Sequence, residues 1–109
     1  MSTLSIAYLK EGQRVNADLT GRLVSLSALR LTSELQNRID PWDRLILDMT
    51  KVTEVDTTGV NAILSTQMKC THKNASMVIK CQKNHPLNAL LKLTQTASYL
   101  DVVESGAEE

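Results

Sequence analysis

The sequence predicts an α/β domain with a mixed, mostly parallel β-sheet, an N-terminal hairpin and helices packed on the sheet. Three observations carry this. Two short segments with alternating polarity open the chain, a strand-length apolar run lies at Arg44–Met49, and segments of helical period alternate with strand-like ones from Ser25 onward. Two strands followed by helix, strand, helix, strand, helix and strand form a layered pattern. Its later strands run parallel and are joined by right-handed crossovers.

Leu4–Leu9 reads as a first strand and Gln13–Leu19 as a second, with Val15, Ala17 and Leu19 alternating against Arg14, Asn16 and Asp18. Glu11-Gly12 between them is a turn signal, which makes the pair a hairpin. Thr20 and Gly21 then bend the chain. From Ser25 the period becomes helical: Leu26, Leu29, Leu31, Leu35 and Ile39 recur at helix spacing, with Ser25 or Ser27 as N-cap. This helix stops near Asp40, because Pro41 disfavours helical geometry in the residue before it. Arg44–Met49 is nearly all apolar, as expected of a central strand covered on both faces.

After a connection over Thr50–Val55, Asp56 caps an amphipathic helix in which Val60, Ile63, Leu64 and Met68 share a side. Asn74–Cys81 is the next strand. His85–Thr94 is a helix with Pro86 in its first turn, where proline is tolerated. Tyr99–Val103 is a last strand, and 104–109 is an acidic tail. One domain accounts for 1–109, with its core over about 4–105.

At this length a chain buries roughly 60 to 70% of its unfolded surface, so 42% hydrophobic residues suffice for a core without disulfides or a structural metal. Twelve Lys and Arg balance twelve Asp and Glu, which argues against a nucleic-acid partner, since phosphates are gripped by an excess of cations. Tyr8, Trp42 and Tyr99 are the only aromatic residues and make no stacking platform for bases. No apolar run approaches the ~20 residues of a membrane span, and the start has no signal-peptide pattern. A cytoplasmic protein without direct membrane insertion is expected, in which Cys70 and Cys81 are small buried hydrophobes.

The motifs of catalysis are missing. The four glycines are isolated, so there is no GxxxxGK[ST] and no GxGxxG to cradle a phosphate, and there is no GxSxG. Cys70, His72, Cys81 and His85 lack familiar zinc spacing and read better as a buried thiol pair and two surface imidazoles. Asp48 invites comparison with the phosphoacceptor of a receiver domain. That chemistry needs further acids at the end of the first strand for Mg²⁺, and LSIAYLK has none. Asp48 is therefore a strand-end or turn carboxylate. No nucleophile, base and oxyanion set can be assembled, so the chain is not expected to be an enzyme, and no cofactor or metal is implied.

Asp56-Thr57-Thr58-Gly59 carries the most information. A cap needs only the Asp, which accepts from backbone N–H groups of the first turn. Two consecutive hydroxyls followed by a poor helix former are more than capping requires. They put a hydroxyl on a rigid element with little bulk around it, where a partner can approach closely.

The stretch RLILDMTKVTEVDTTGVNAILSTQMKC, a hydrophobic strand ending in L-D and then D-[ST]-[ST]-G-[VL] opening an amphipathic helix, resembles the STAS domain of bacterial anti-sigma-factor antagonists. LTGRL at Leu19–Leu23 is similar to that family's L-x-G-x-L, and LNALLKLTQTASYLDVVES to its closing helix and strand. The resemblance implies a non-catalytic signalling protein whose partner is an anti-sigma factor or serine/threonine kinase with a histidine-kinase-like ATPase fold. It further implies that this partner phosphorylates the chain and that a serine/threonine phosphatase reverses the modification. By the same resemblance the phosphoacceptor is Thr57, with Thr58 the second choice, and the partner-binding residues are Asp56, Thr57, Thr58, Gly59, Asn61, Arg22, Val24 and Ser25. STAS domains also serve as subunits of ABC-type lipid transporters, where they bind the ATPase subunit, and this is the alternative role.

Two features depart from the family pattern: Val24 stands where antagonists commonly carry an Asp, and SGAEE leaves little room for a further helix. The charge balance also divides unevenly. Residues 101–109 hold four acids and no base, so 1–100 carry a formal +4. The face around DTTG has no aromatic anchor in sequence, which predicts a contact built on backbone approach and small side chains.

Overall fold

Glu11 pairs with Arg14 across a two-residue loop in the computed structural model of the protein, which describes residues 4–104. Gly12 takes φ +61° at the first loop position, a left-handed value that a tight hairpin demands and glycine adopts without a steric penalty. The loop joins β1 (Leu4–Glu11) to β2 (Arg14–Leu23), antiparallel in register from Leu4–Gly21 onward. The remaining strands are β3 (Arg44–Val55), β4 (Ser76–Cys81) and β5 (Val102–Glu104). All of these run parallel to β2, in the order β1-β2-β3-β4-β5.

The crossovers are α1 (Ser25–Gln36), α2 (Thr57–His72) and α3 (Pro86–Thr94), the last followed by a single 3-10 turn at Ala97–Tyr99. Because the order always steps the same way and such crossovers are right-handed, every helix falls on one face. That face is the core. Val15, Ala17 and Leu19 of β2, Leu45, Leu47 and Met49 of β3, and Met77, Ile79 and Cys81 of β4 are buried in one cluster with Leu31, Leu35, Ile63, Leu87 and Leu91 of the helices. On the opposite face Asn16, Asp18, Ile46, Asp48 and Val78 are half-buried or exposed. Arg44–Met49 is thus a central strand covered on one face, not two.

Several boundaries differ from the sequence reading for identifiable reasons. β2 continues through Thr20 and Gly21 to Leu23, and β3 continues through Thr50–Val55. β3 carries one extra residue between the pairs Asp18–Asp48 and Thr20–Lys51, and another between Gly21–Val52 and Arg22–Glu54. Each bulge shifts the inward phase by one residue. Val52 therefore faces the core after Met49, and the broken alternation that reads as a connection is a strand. Asp48 lies inside β3 and is no strand-end residue: its Oδ1 accepts from the Thr50 backbone N–H at 2.9 Å and the Thr50 hydroxyl at 2.7 Å. Tyr99 belongs to the 3-10 turn and Glu104 to β5, while the rest of the acidic tail lies outside the described residues.

The helices show the same kind of correction. α1 ends at Gln36, yet Ile39 is still buried, because the Lys73 ammonium at the end of α2 reaches the Gln36 and Ile39 carbonyls at 3.0 and 2.7 Å. Leu26 and Leu29 face solvent, as do Met68 and Leu93. Cys70 and Cys81 are buried free thiols, and burial pushes both thiols up from their ordinary pKa. His85 is buried rather than on the surface, whereas His72 is exposed. The Nδ1 of His85 accepts from the Leu87 N–H at 3.0 Å, so the ring proton sits on Nε2 and is given to the Val52 carbonyl at 2.7 Å. One imidazole thereby caps α3 and ties it to β3. No helix among the described residues is long and apolar enough to cross a membrane.

Two measurements follow from this packing. His85→Ala strands the Leu87 N–H and the Val52 carbonyl, and is expected to cost about 2 kcal/mol in urea unfolding with the slope unchanged. Tyr8 is half-buried on β1, donates to Glu34 at 3.2 Å and lies under the Arg38 guanidinium. Desolvation first, then the Glu34 charge, pushes its phenol up to about 12, with Arg38 opposing. The folded chain keeps this proton while the unfolded chain releases it near 10.0, so the contribution is complete below that pH. Stability should fall as pH climbs from there to about 12, and Tyr8→Phe should flatten that decline.

Candidate functional site

β2 and β3 are parallel neighbours that end together, with Leu23 paired to Val55, so α1 and α2 start side by side at the carboxyl edge of the sheet. Loops at that edge are where open α/β sheets place their sites. Asp56 is the N-cap of α2, and its Oδ1 accepts from the Gly59 N–H at 2.9 Å. Its other oxygen does something the sequence does not announce. Oδ2 accepts from the Ser25 N–H at 3.2 Å, so one carboxylate serves the first turns of two helices. The Asp56 N–H in turn donates to the Leu23 carbonyl at 3.4 Å.

Gly59 explains how the two turns come this close. A Cβ built there would lie 2.4 Å from the Leu23 carbonyl oxygen and 2.9 Å from Cγ1 of Val55. The residue is buried. Its lack of a side chain therefore serves packing of α2 against the end of β2, whereas the sequence reading had it clear space for a partner.

Thr57 is exposed at the first helical position and Thr58 is half-buried one residue on. At about 100° per residue Thr57, Asn61 and Met68 share the outward side of α2, and Thr58 turns toward α1. There it lines a shallow groove with Leu29, Thr32, Asn61 and Lys69. The two hydroxyls are thus inequivalent: Thr57 presents itself to solvent, and Thr58 to the seam between helices.

On the α1 side Val24 is the N-cap, in extended backbone, and offers no side-chain acceptor. Neither Ser25 nor Ser27 is the cap. Ser27, buried in the first turn, accepts the Val24 N–H on its hydroxyl at 3.0 Å and donates to the Val24 and Arg22 carbonyls. Ser25 takes φ +48°, a left-handed conformation that costs a residue with a Cβ roughly 1 kcal/mol or more. Arg22 is occupied by an exposed ion pair, its Nε 2.9 Å from Glu54. All eight sequence-predicted residues therefore gather at one end of the sheet, though Gly59 is internal.

Sequence reasoning missed Leu26 and Leu29, which stand 79% and 61% exposed beside this end. The signal was available in the wheel, because Leu29 and Leu31 are two apart and so lie roughly 200° around the helix. These two leucines supply the apolar surface that the motif itself lacks. Among the described residues no group of three or more His, Cys, Asp or Glu side chains comes together, and Cys70, His72, Cys81 and His85 each sit in a different setting.

Gly59→Ala tests the close approach by its sign. In an ordinary helix the change stabilises by about 1 kcal/mol, whereas here the methyl must displace backbone and is expected to destabilise by about 1 to 3 kcal/mol. Chemical denaturation of the two proteins reads the difference directly.

The STAS domain family model matches residues 13–105. Among solved structures, an anti-sigma factor antagonist from Mycobacterium paratuberculosis is similar with a TM-score of 0.79 at 11% identity, over 96% of this chain and 88% of that one. The anti-sigma factor antagonist SpoIIAA, in its unphosphorylated form, is similar with a TM-score of 0.72 at 8% identity, over 93% of this chain and 90% of that one. At such identities the likeness is one of fold. No protein of curated function matches the chain. With a family model reaching from the hairpin loop to the end of the last strand, the chain belongs to the STAS domain family.

Proposed function

We propose that this STAS protein is a non-catalytic, cytoplasmic regulatory switch of the anti-sigma-factor-antagonist type. In this reading it binds an anti-sigma factor or serine/threonine kinase with a histidine-kinase-like ATPase fold, lets go when Thr57 is phosphorylated, and is reset by a phosphatase. The carrying observation is the exposed Thr57 on the first turn of α2, next to the groove that Thr58 and Asn61 line with the exposed Leu29. The similar structures, both of anti-sigma factor antagonists, support the class of partner.

The transfer joins the γ-phosphorus of the partner's ATP to the Thr57 oxygen as its bond to the bridging oxygen of ADP breaks. The hydroxyl proton leaves to a base of the kinase. A helix N-terminus tolerates the added −1.5 to −2 charge, so the fold survives while the docking face changes. A dianion buried against a partner without matched cations costs several kcal/mol, and each ~1.4 kcal/mol is tenfold in affinity.

Val24, which leaves α1 without an acidic cap, favours one other role: a transporter subunit that binds its ATPase without being phosphorylated. Incubation with the candidate kinase and ATP, followed by phosphopeptide mapping, separates the two. Phosphate is expected on Thr57, absent in Thr57→Ala, with partner affinity down by at least about tenfold in the modified protein. No phosphate on Thr57 or Thr58, together with co-purification with a transporter ATPase, would overturn the switch in favour of that role.

A further inference from the structure

We propose that the first turn of α1 is a second, moving part of this switch: the Asp56 carboxylate holds Ser25 in its left-handed backbone, and a phosphate on Thr57 loosens that hold and lets the Val24–Leu29 turn open. The inference rests on the reading of Thr57 as phosphoacceptor and assigns that site a conformational output.

A left-handed residue with a side chain persists only where its surroundings over-determine it, and such residues gather at switch regions. Ser25, at φ +48°, lies in a turn that the Ser27 hydroxyl closes from within onto Val24, and its own N–H is held from outside the helix. A side chain at the N-cap reaches only the second and third N–H groups of a helix, so the Ser25 N–H, the first, is met by Asp56 from the neighbouring helix. The two bonds of that carboxylate are unequal. The one to Gly59, at 2.9 Å, lies within its own first turn, and the one to Ser25, at 3.2 Å, crosses between helices.

A phosphate on the next residue sets a second strong anion beside Asp56 and offers the same N–H groups three further acceptor oxygens. The longer, cross-helix bond is the one that yields. With it goes the support for the strained backbone, and Leu26 and Leu29, which ride on this turn, lose their fixed position.

The test uses the full chain with phosphothreonine installed at position 57 during translation, followed by hydrogen–deuterium exchange read by mass spectrometry. Exchange over residues 22–29 is expected to rise by about fivefold or more, a typical coupling magnitude, while residues 44–49 of β3 keep their rate. Asp56→Asn in the unmodified chain should loosen the same segment, because an amide N–H₂ now faces the Ser25 N–H. Ser25→Gly, which adopts positive φ freely, should shrink the phosphate effect. Unchanged exchange over 22–29 in the phosphorylated chain would overturn the proposal, and so would an equal rise in β3, which is general destabilisation. A kinase that leaves Thr57 unmodified defeats the phosphoswitch reading alone, since the installed phosphothreonine still reports on the Asp56 clip.

Discussion

The backbone of Gly59 sits where any side chain would strike the Leu23 carbonyl, and this contact sets the spacing of everything at the carboxyl edge of the sheet. Because α2 begins directly against the end of β2, the Asp56 carboxylate can cap its own helix and still reach the Ser25 N–H of the next. The helices are clamped again at their far ends, where Lys73 reaches the Gln36 and Ile39 carbonyls. The pair behaves as one plate, with Thr57 at its corner. The backbone that carries Thr57 is therefore fixed by contacts on both sides, while its side chain stays exposed.

The order of elements was legible because it depends on hydrophobic period and turn chemistry, and both are local. The same locality explains the failures. Alternation in β3 breaks at two bulges, and a bulge is decided by the neighbouring strand, which no window of sequence contains. His85 reads as a surface imidazole until the Val52 carbonyl and the Leu87 N–H are known to lie on either side of its ring. Leu26 and Leu29 recur at helix spacing with Leu31 and Leu35, but their angles around the helix turn them to solvent.

At the site itself the motif was legible and the architecture was not. Asp-Thr-Thr-Gly announces a capped helix with exposed hydroxyls, and the structure places Thr57 in solvent as that pattern implies. The role of glycine was misread, since nothing local distinguishes a residue small for a partner from one small for its own Leu23. The second duty of Asp56 and the left-handed Ser25 lie 31 residues apart in sequence, and only the parallel ending of β2 and β3 joins them.

The hydrogen bonds of Asp56 and Ser27 that build this corner fall between Arg22 and Val60, although the domain extends well beyond. β4, α3 and β5 complete the core, and none of the bonds just named comes from them. Core packing and the geometry of this corner consequently draw on different stretches of the chain. Substitutions in the C-terminal third can raise or lower the melting temperature while leaving the corner unaltered, whereas a change at Ser25, where left-handed backbone costs roughly 1 kcal/mol, acts on the corner itself.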